Sequence, residues 1–141
     1  MKNIFFYLIF IFPFYLIADN YSFNHNVASG DPTSNSVIIW TRITTDVDNE
    51  IYINWYVGLD TTRNSVVSSG TFVSGSYRDY TVKVDVKNLE SNTYYYYWFT
   101  FKDDTSQIGR TKTLPGSASN LNEINLCFLS CSNYARGYFD G

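Results

Sequence analysis

The stretch Leu89-Glu90-Ser91-Asn92-Thr93-Tyr94-Tyr95-Tyr96-Tyr97-Trp98-Phe99-Thr100-Phe101 constrains this chain more than any other. A polar turn runs straight into eight residues, of which only Thr100 is not aromatic. Read at period two, Tyr95, Tyr97, Phe99 and Phe101 fall on one face and Tyr94, Tyr96, Trp98 and Thr100 on the other, whereas a helix would scatter both sets. The segment is therefore expected to be a central β-strand. Phe99 and Phe101 carry no polar atom, so the odd-numbered face is expected to point inward, with Tyr95 at the mouth of the strand and its hydroxyl free to turn back to the backbone upstream.

Other segments carry the same period. Tyr21 to Ser29 alternates weakly and is stopped by Gly30-Asp31-Pro32, a turn signal because glycine permits positive φ and proline fixes its own. Ser36 to Ile43 and Ile51 to Val57 follow as strands, the second with Ile51, Ile53, Trp55 and Val57 on one face, and the acidic stretch Asp46 to Glu50 between them reads as a hairpin loop. Val66-Val67 and Phe72-Val73, parted by Ser68-Ser69-Gly70, are expected to form a short pair at a sheet edge. Tyr80 to Val86 places Tyr80, Val82, Val84 and Val86 inward, and Ser106 to Thr113 is a polar strand suited to an edge. About seven short strands without a helical period predict an all-β, two-sheet sandwich. A leucine, a turn, a threonine and then Tyr95 at a strand mouth resembles the tyrosine corner of immunoglobulin and fibronectin type III-like β-sandwiches. Trp40 and Trp55, read as lying on neighbouring strands, are candidates to fill its centre, or alternatively to form an aromatic platform for sugars.

The amino terminus is different in kind. Met1-Lys2-Asn3 gives a positive start, and Ile4 to Ile17 is an apolar run broken only by Pro13 and ending at Ala18. It is shorter than the roughly 20 residues that cross a bilayer. Residues 1–18 thus read as a signal peptide, which predicts a secreted or periplasmic protein and membrane contact only if the segment stays uncleaved. Loss of Lys2 with that segment leaves nine cations against thirteen carboxylates, a formal charge of −4. With no basic cluster, the chain has no footprint for nucleic acid, whose phosphates require a Lys/Arg patch. His25 is the only histidine, so a His-based catalytic triad or a multi-histidine metal site is excluded within this chain.

Residues 19–113 are expected to make the sandwich and residues 114–123, rich in Pro, Gly and Ser, a linker. Beyond it Ile124-Asn125-Leu126-Cys127-Phe128-Leu129-Ser130 is nearly continuous in apolar residues, as in a parallel strand buried on both faces of an α/β domain, where chemistry sits at the carboxyl end. Cys131 stands at that end. Four positions apart on an extended strand, Cys127 and Cys131 would be about 13 Å apart at roughly 3.3 Å per residue, beyond the roughly 7 Å limit of a disulfide. Cys127 reads as a packing residue. Cys131 can be a metal ligand or a nucleophile, and equally an inert buried thiol.

Three motifs in order carry a family resemblance. Phe23-Asn24-His25-Asn26-Val27-Ala28-Ser29-Gly30-Asp31-Pro32 through Val37-Ile38-Ile39-Trp40-Thr41-Arg42 is the first. Ile108-Gly109-Arg110-Thr111-Lys112-Thr113-Leu114-Pro115 is the second, and Ser130-Cys131-Ser132-Asn133-Tyr134 with Gly137-Tyr138-Phe139 the third. Together they resemble the alkaline phosphatase D family, the PhoD-like phosphodiesterases and phosphomonoesterases, over roughly residues 22 to 141. The resemblance implies an immunoglobulin-like amino-terminal domain followed by a metallophosphoesterase domain that binds iron and calcium and hydrolyses phosphate esters outside the cytoplasm. It implies Cys131 as an iron ligand and makes residues 124–141 the start of a truncated catalytic domain, whose remaining site residues would follow Gly141. A catalytic metal wants about three or more protein ligands, so this chain itself is expected to be inactive as a phosphoric ester hydrolase and to bind neither metal well. The alternative is a free-standing secreted binding module of the fibronectin kind.

Overall fold

A computed structural model describes residues 20–117 and Glu123, and within them the protein is an all-β sandwich with no α-helix. Ten strands are formed: β1 (Tyr21–Ser22), β2 (Val27–Gly30), β3 (Val37–Arg42), β4 (Thr44–Thr45), β5 (Ile51–Gly58), β6 (Val66–Ser74), β7 (Thr81–Val86), β8 (Tyr94–Phe101), β9 (Asp104–Thr105) and β10 (Gly109–Lys112). One sheet has the order β2-β3-β7 and the other β10-β8-β5-β6, with β9 appended to the end of β8 and a two-residue ribbon β1-β4 at one corner. Every pairing is antiparallel. This is an immunoglobulin or fibronectin type III-like sandwich of three and four main strands.

The core is the meeting of two alternating faces. Val37, Ile39 and Thr41 of β3 are buried while Ile38, Trp40 and Arg42 are half-buried on the far side. Opposite them Ile53 and Val57 of β5 and Tyr95, Tyr97, Phe99 and Phe101 of β8 close the interior, joined by Val82 and Val86 of β7. The odd-numbered face of β8 is thus inward, as its pattern requires. The one exception on its outer face is Trp98, only 4% exposed, because the Tyr56 ring stacks on it at 5.4 Å and the Arg63 guanidinium lies 5.9 Å from its centroid.

Tyr95 forms the corner. Its hydroxyl accepts a 2.8 Å hydrogen bond from the Glu90 backbone N–H, while the buried Thr113 hydroxyl donates to the Glu90 carbonyl at 2.6 Å and accepts from the Thr93 N–H at 3.0 Å. Asn92 N–H donates to Leu114 O at 3.0 Å and Leu114 N–H to Thr33 O at 2.8 Å, so the turn before β8, the turn before β3 and the outgoing chain are tied at one end. Turn backbone that leaves the ladder thereby finds partners, as buried peptide groups must.

Four readings of the sequence are corrected. Tyr21 to Ser29 is not one strand: Asn26 takes φ 55° and redirects the chain, so β1 pairs with β4 and β2 with β3 in the three-stranded sheet. Asp46 to Glu50 is not a hairpin loop, because β3 and β5 belong to different sheets and the segment crosses between them. Ser68-Ser69-Gly70 is not a turn; β6 runs unbroken from Val66 to Ser74 against β5, and Gly70 is there because a Cβ would lie 2.8 Å from the Trp55 ring. Trp40 and Trp55 are not neighbours in the centre: Trp40 is on the outer face of β3, and Trp55 packs at the margin of the core in the other sheet. The readings for residues 1–18 and 124–141, Cys131 included, fall outside the described residues.

Two substitutions check this packing. Tyr95→Phe leaves the Glu90 N–H without its partner and is expected to cost about 1–3 kcal/mol in urea unfolding; a change under a few tenths would remove the corner from the account. Gly109→Ala places a Cβ 2.2 Å from the ring of the buried Tyr97, paired with it across β10 and β8, and is expected to cost about 1–3 kcal/mol by the same measurement.

Candidate functional site

A cluster of charged and polar side chains sits where β3 ends. The Arg42 guanidinium grips Asp79 with two bonds, Nε to Oδ2 at 2.9 Å and Nη2 to Oδ1 at 2.8 Å. Its remaining nitrogen, Nη1, lies 2.5 Å from His25 Nε2 and 3.4 Å from Thr44 Oγ1, which is itself 3.2 Å from His25 Nε2. A guanidinium has only donors, so in its contact with Arg42 the His25 Nε2 is the acceptor. Asp79 is placed by a left-handed backbone, φ 53°, directly after the 3-10 turn Ser76–Arg78. The cluster therefore clasps three pieces of chain: the turn between β1 and β2, the end of β3 and the crossing from β6 to β7.

Its chemistry is that of a fastener. The hydrogen bonds from Arg42 hold the Asp79 carboxyl below the ordinary 3.8, and the same bonds raise Arg42 further. Asp60 is likewise held low, by Ser65 Oγ at 2.6 Å and by the Thr62 hydroxyl and N–H at 2.6 and 2.7 Å, which shape the loop from β5 to β6. Tyr97 moves the other way, since burial pushes its hydroxyl up. These shifts serve charges already bonded or a phenol already buried, and none leaves a base directed at an open cleft. The Arg78 guanidinium lies 4.7 Å from the Phe72 ring centroid, and its buried Nε has no hydrogen-bond partner.

An aromatic platform is not assembled. Trp40 and Trp55 occupy different sheets, and Trp98 is covered. The open aromatic on the face of the four-stranded sheet nearest the outgoing chain is Tyr94, flanked by Arg110 at 5.4 Å and Lys112 at 4.9 Å. Beside the corner a groove of about 590 Å³ is lined by Leu59, Val67, Leu89, Glu90 and Tyr95 among others. Among the described residues no three His, Cys, Asp or Glu side chains stand together as a metal would require. The sandwich thus does not fit the iron and calcium implied by the resemblance, and no chemical step runs through either metal here. Residue patterns did not reveal the clasp, because Arg42 and Asp79 are 37 positions apart.

The family model for the PhoD-like phosphatase amino-terminal domain matches residues 16–115. The chain belongs to this family. Alkaline phosphatase D of Bacillus subtilis (strain 168) is 35% identical over 127 residues, which is 85% of this chain and 22% of that protein. A solved structure of PhoD superposes with a TM-score of 0.68 at 35% identity, covering 70% of this chain and 20% of the other. The chain therefore spans about a fifth of the length of these relatives. The sensor domain of the anti-sigma factor RsgI4 in Pseudobacteroides cellulosolvens shares the fold alone, with a TM-score of 0.53 at 13% identity over 79% of this chain and 96% of that one. The PhoD-like match encloses both the tyrosine corner and the Arg42 clasp.

The clasp sets a pH dependence with a definite sign. Asp79 has a depressed folded-state pKa, so its contribution is present above the unfolded value near 3.8 and is lost as pH falls through the lower folded value. Wild type should exceed Asp79→Asn in urea midpoint at neutral pH, and the gap should close on acidification. Because the pair is exposed, the gap is expected to shrink with salt as well. A gap that widens toward low pH would contradict the assignment.

Proposed function

We propose that the described sandwich is the amino-terminal module of an exported alkaline phosphatase D-type enzyme, and that hydrolysis of phosphate esters belongs to polypeptide that follows Leu114. The observation that carries this is the 35% identity to alkaline phosphatase D over 127 residues, a longer span than the amino-terminal family match at 16–115. The absence of a directed base or ligand cluster among the described residues accords with a supporting role for the sandwich. Its contribution is then mechanical: the outgoing chain is anchored at Leu114 by bonds to Asn92 and Thr33.

On this reading Cys131 supplies one thiolate to iron, a ligand type that suits it, and calcium completes the metal content. Such metals, when bound, supply charge to hold the phosphate group and to activate the attacking oxygen. Export rests on the run Ile4 to Ile17 behind Lys2. Among the described residues no helix is long and apolar enough to cross a membrane.

A chimera tests the module assignment. Residues 20–115 in place of the corresponding domain of Bacillus subtilis alkaline phosphatase D should preserve turnover of an aryl phosphate to within about tenfold. Residues 20–117 alone, supplied with iron and calcium, should show none above a metal-only blank. Turnover by the sandwich alone would move the chemistry into it, and a folded but inactive chimera would deny that the modules are equivalent.

A further inference from the structure

The main strands of the larger sheet, β5, β6, β8 and β10, hold no carboxylate, although the chain has thirteen Asp and Glu against ten Lys and Arg. Their charged residues are Arg110 and Lys112, both on β10 and both exposed. Set two positions apart, the pair shares the outer face, with Arg110 opposite Tyr96 and Lys112 opposite Tyr94 in the register. Both cations converge on one ring. The Arg110 guanidinium carbon lies 5.4 Å and the Lys112 Nζ 4.9 Å from the Tyr94 centroid, and Tyr94 is 53% exposed. The electron-rich ring attracts each cation and offsets part of their mutual repulsion, but it has no net charge and neutralises neither. Among the described residues neither Arg110 nor Lys112 is in an ion pair, and Glu90, the carboxylate in the turn before β8, joins neither.

We propose that Tyr94, Arg110 and Lys112 form an oxyanion site for a doubly charged phosphate group, free or carried as a monoester. Two positive charges gathered at one spot without a counter-charge are matched by a group of about two negative charges. A phosphate monoester supplies that near neutral pH and a carboxylate does not. The donors fit as well: a guanidinium presents a planar fork to oxyanion oxygens, an ammonium adds a compact charge, and the Tyr94 hydroxyl is a further donor. Because the ring already holds both cations, less side-chain freedom is lost when the anion arrives. The other arginines on this sheet and at the clasp do not repeat the arrangement: Arg63 is a single cation over the covered Trp98, and Arg42 is neutralised by Asp79. Two cations are too few for nucleic acid, whose backbone demands a longer basic track, so the ligand is a single phosphate group. The site is open to solvent and therefore weak, with a dissociation constant on the order of 1 mM. It belongs to the sandwich itself and stands whether or not the polypeptide beyond Leu114 is a phosphatase.

NMR titration of the full chain at neutral pH and fixed ionic strength tests it, with sodium phosphate, glycerol 2-phosphate and sodium acetate as probes. Phosphate should shift the Tyr94 ring and Arg110 side-chain resonances saturably, with a dissociation constant on the order of 1 mM, and acetate should bind at least roughly fivefold more weakly. Equal affinity for glycerol 2-phosphate would assign the site to phosphate carried on a larger molecule, and binding of inorganic phosphate alone would assign it to the free ion. Arg110→Gln and Lys112→Gln should each weaken phosphate binding at least roughly fivefold, and Tyr94→Leu, which keeps both cations, at least roughly threefold. Lys83→Gln removes the same charge from the other sheet and should leave the affinity within about twofold. All four residues are exposed, so thermal midpoints should stay nearly unchanged. Shifts that do not saturate, or acetate binding as tight as phosphate, overturn the proposal. So does a loss in Lys83→Gln equal to that in Arg110→Gln, or undiminished binding by Tyr94→Leu, because each describes a general positive field and no site.

Discussion

Burial of one face of β8 is the constraint on which everything else rests. Tyr95, Tyr97, Phe99 and Phe101 lie within 7% of full burial, and the strand is flanked by β5 and β10. Four aromatic side chains facing one way bury too much apolar area to be solvated, so the second sheet has to cover them. The inward hydroxyls then set the detail. Tyr95 bonds to Glu90 and fixes the entry turn, while the Tyr97 ring occupies the space that a side chain at position 109 would need. Phe99 is held at its backbone too: its N–H donates to Ser106 Oγ at 2.9 Å and its carbonyl accepts from Ser106 N–H at 3.0 Å, where the ladder is interrupted before β10.

The two ends of the sandwich are built differently. One is closed by charge, with Arg42 joining His25, Thr44 and Asp79 across three segments. The other is closed by backbone bonds around Leu89, Glu90, Asn92, Thr113 and Leu114 and leaves Leu59, Val66, Val67 and Leu114 exposed. The first end depends on pH and salt, since it is made of exposed ions, and the second does not. The chain leaves from the second end.

Local pattern carried most of the strand positions, because a side-chain period of two is visible wherever one face is buried. It failed where the period is silent. Ser68-Ser69-Gly70 has turn composition, yet the strand continues because the Trp55 ring lies where a side chain at 70 would be and the ladder to β5 continues through it. Tyr21 to Ser29 alternates as one strand, yet one left-handed residue, Asn26, divides it between two sheets. His25 was legible only as a solitary histidine. Its partners Arg42 and Thr44 are 17 and 19 positions away, and no spacing rule links them.

By itself the sequence determined the fold class, the inward face of β8 and the tyrosine corner, since alternation and a turn followed by threonine and tyrosine are local properties. The family resemblance came from short motifs in order and was likewise local. Tertiary structure alone decided which sheet each strand joins, which tryptophan is covered, how Arg42 is shared, and that β6 ends its sheet among the described residues. These are relations between residues far apart in sequence. Strand pairing depends on what the opposite layer must bury and on which edges remain, and that is settled only when the two sheets have closed on one another.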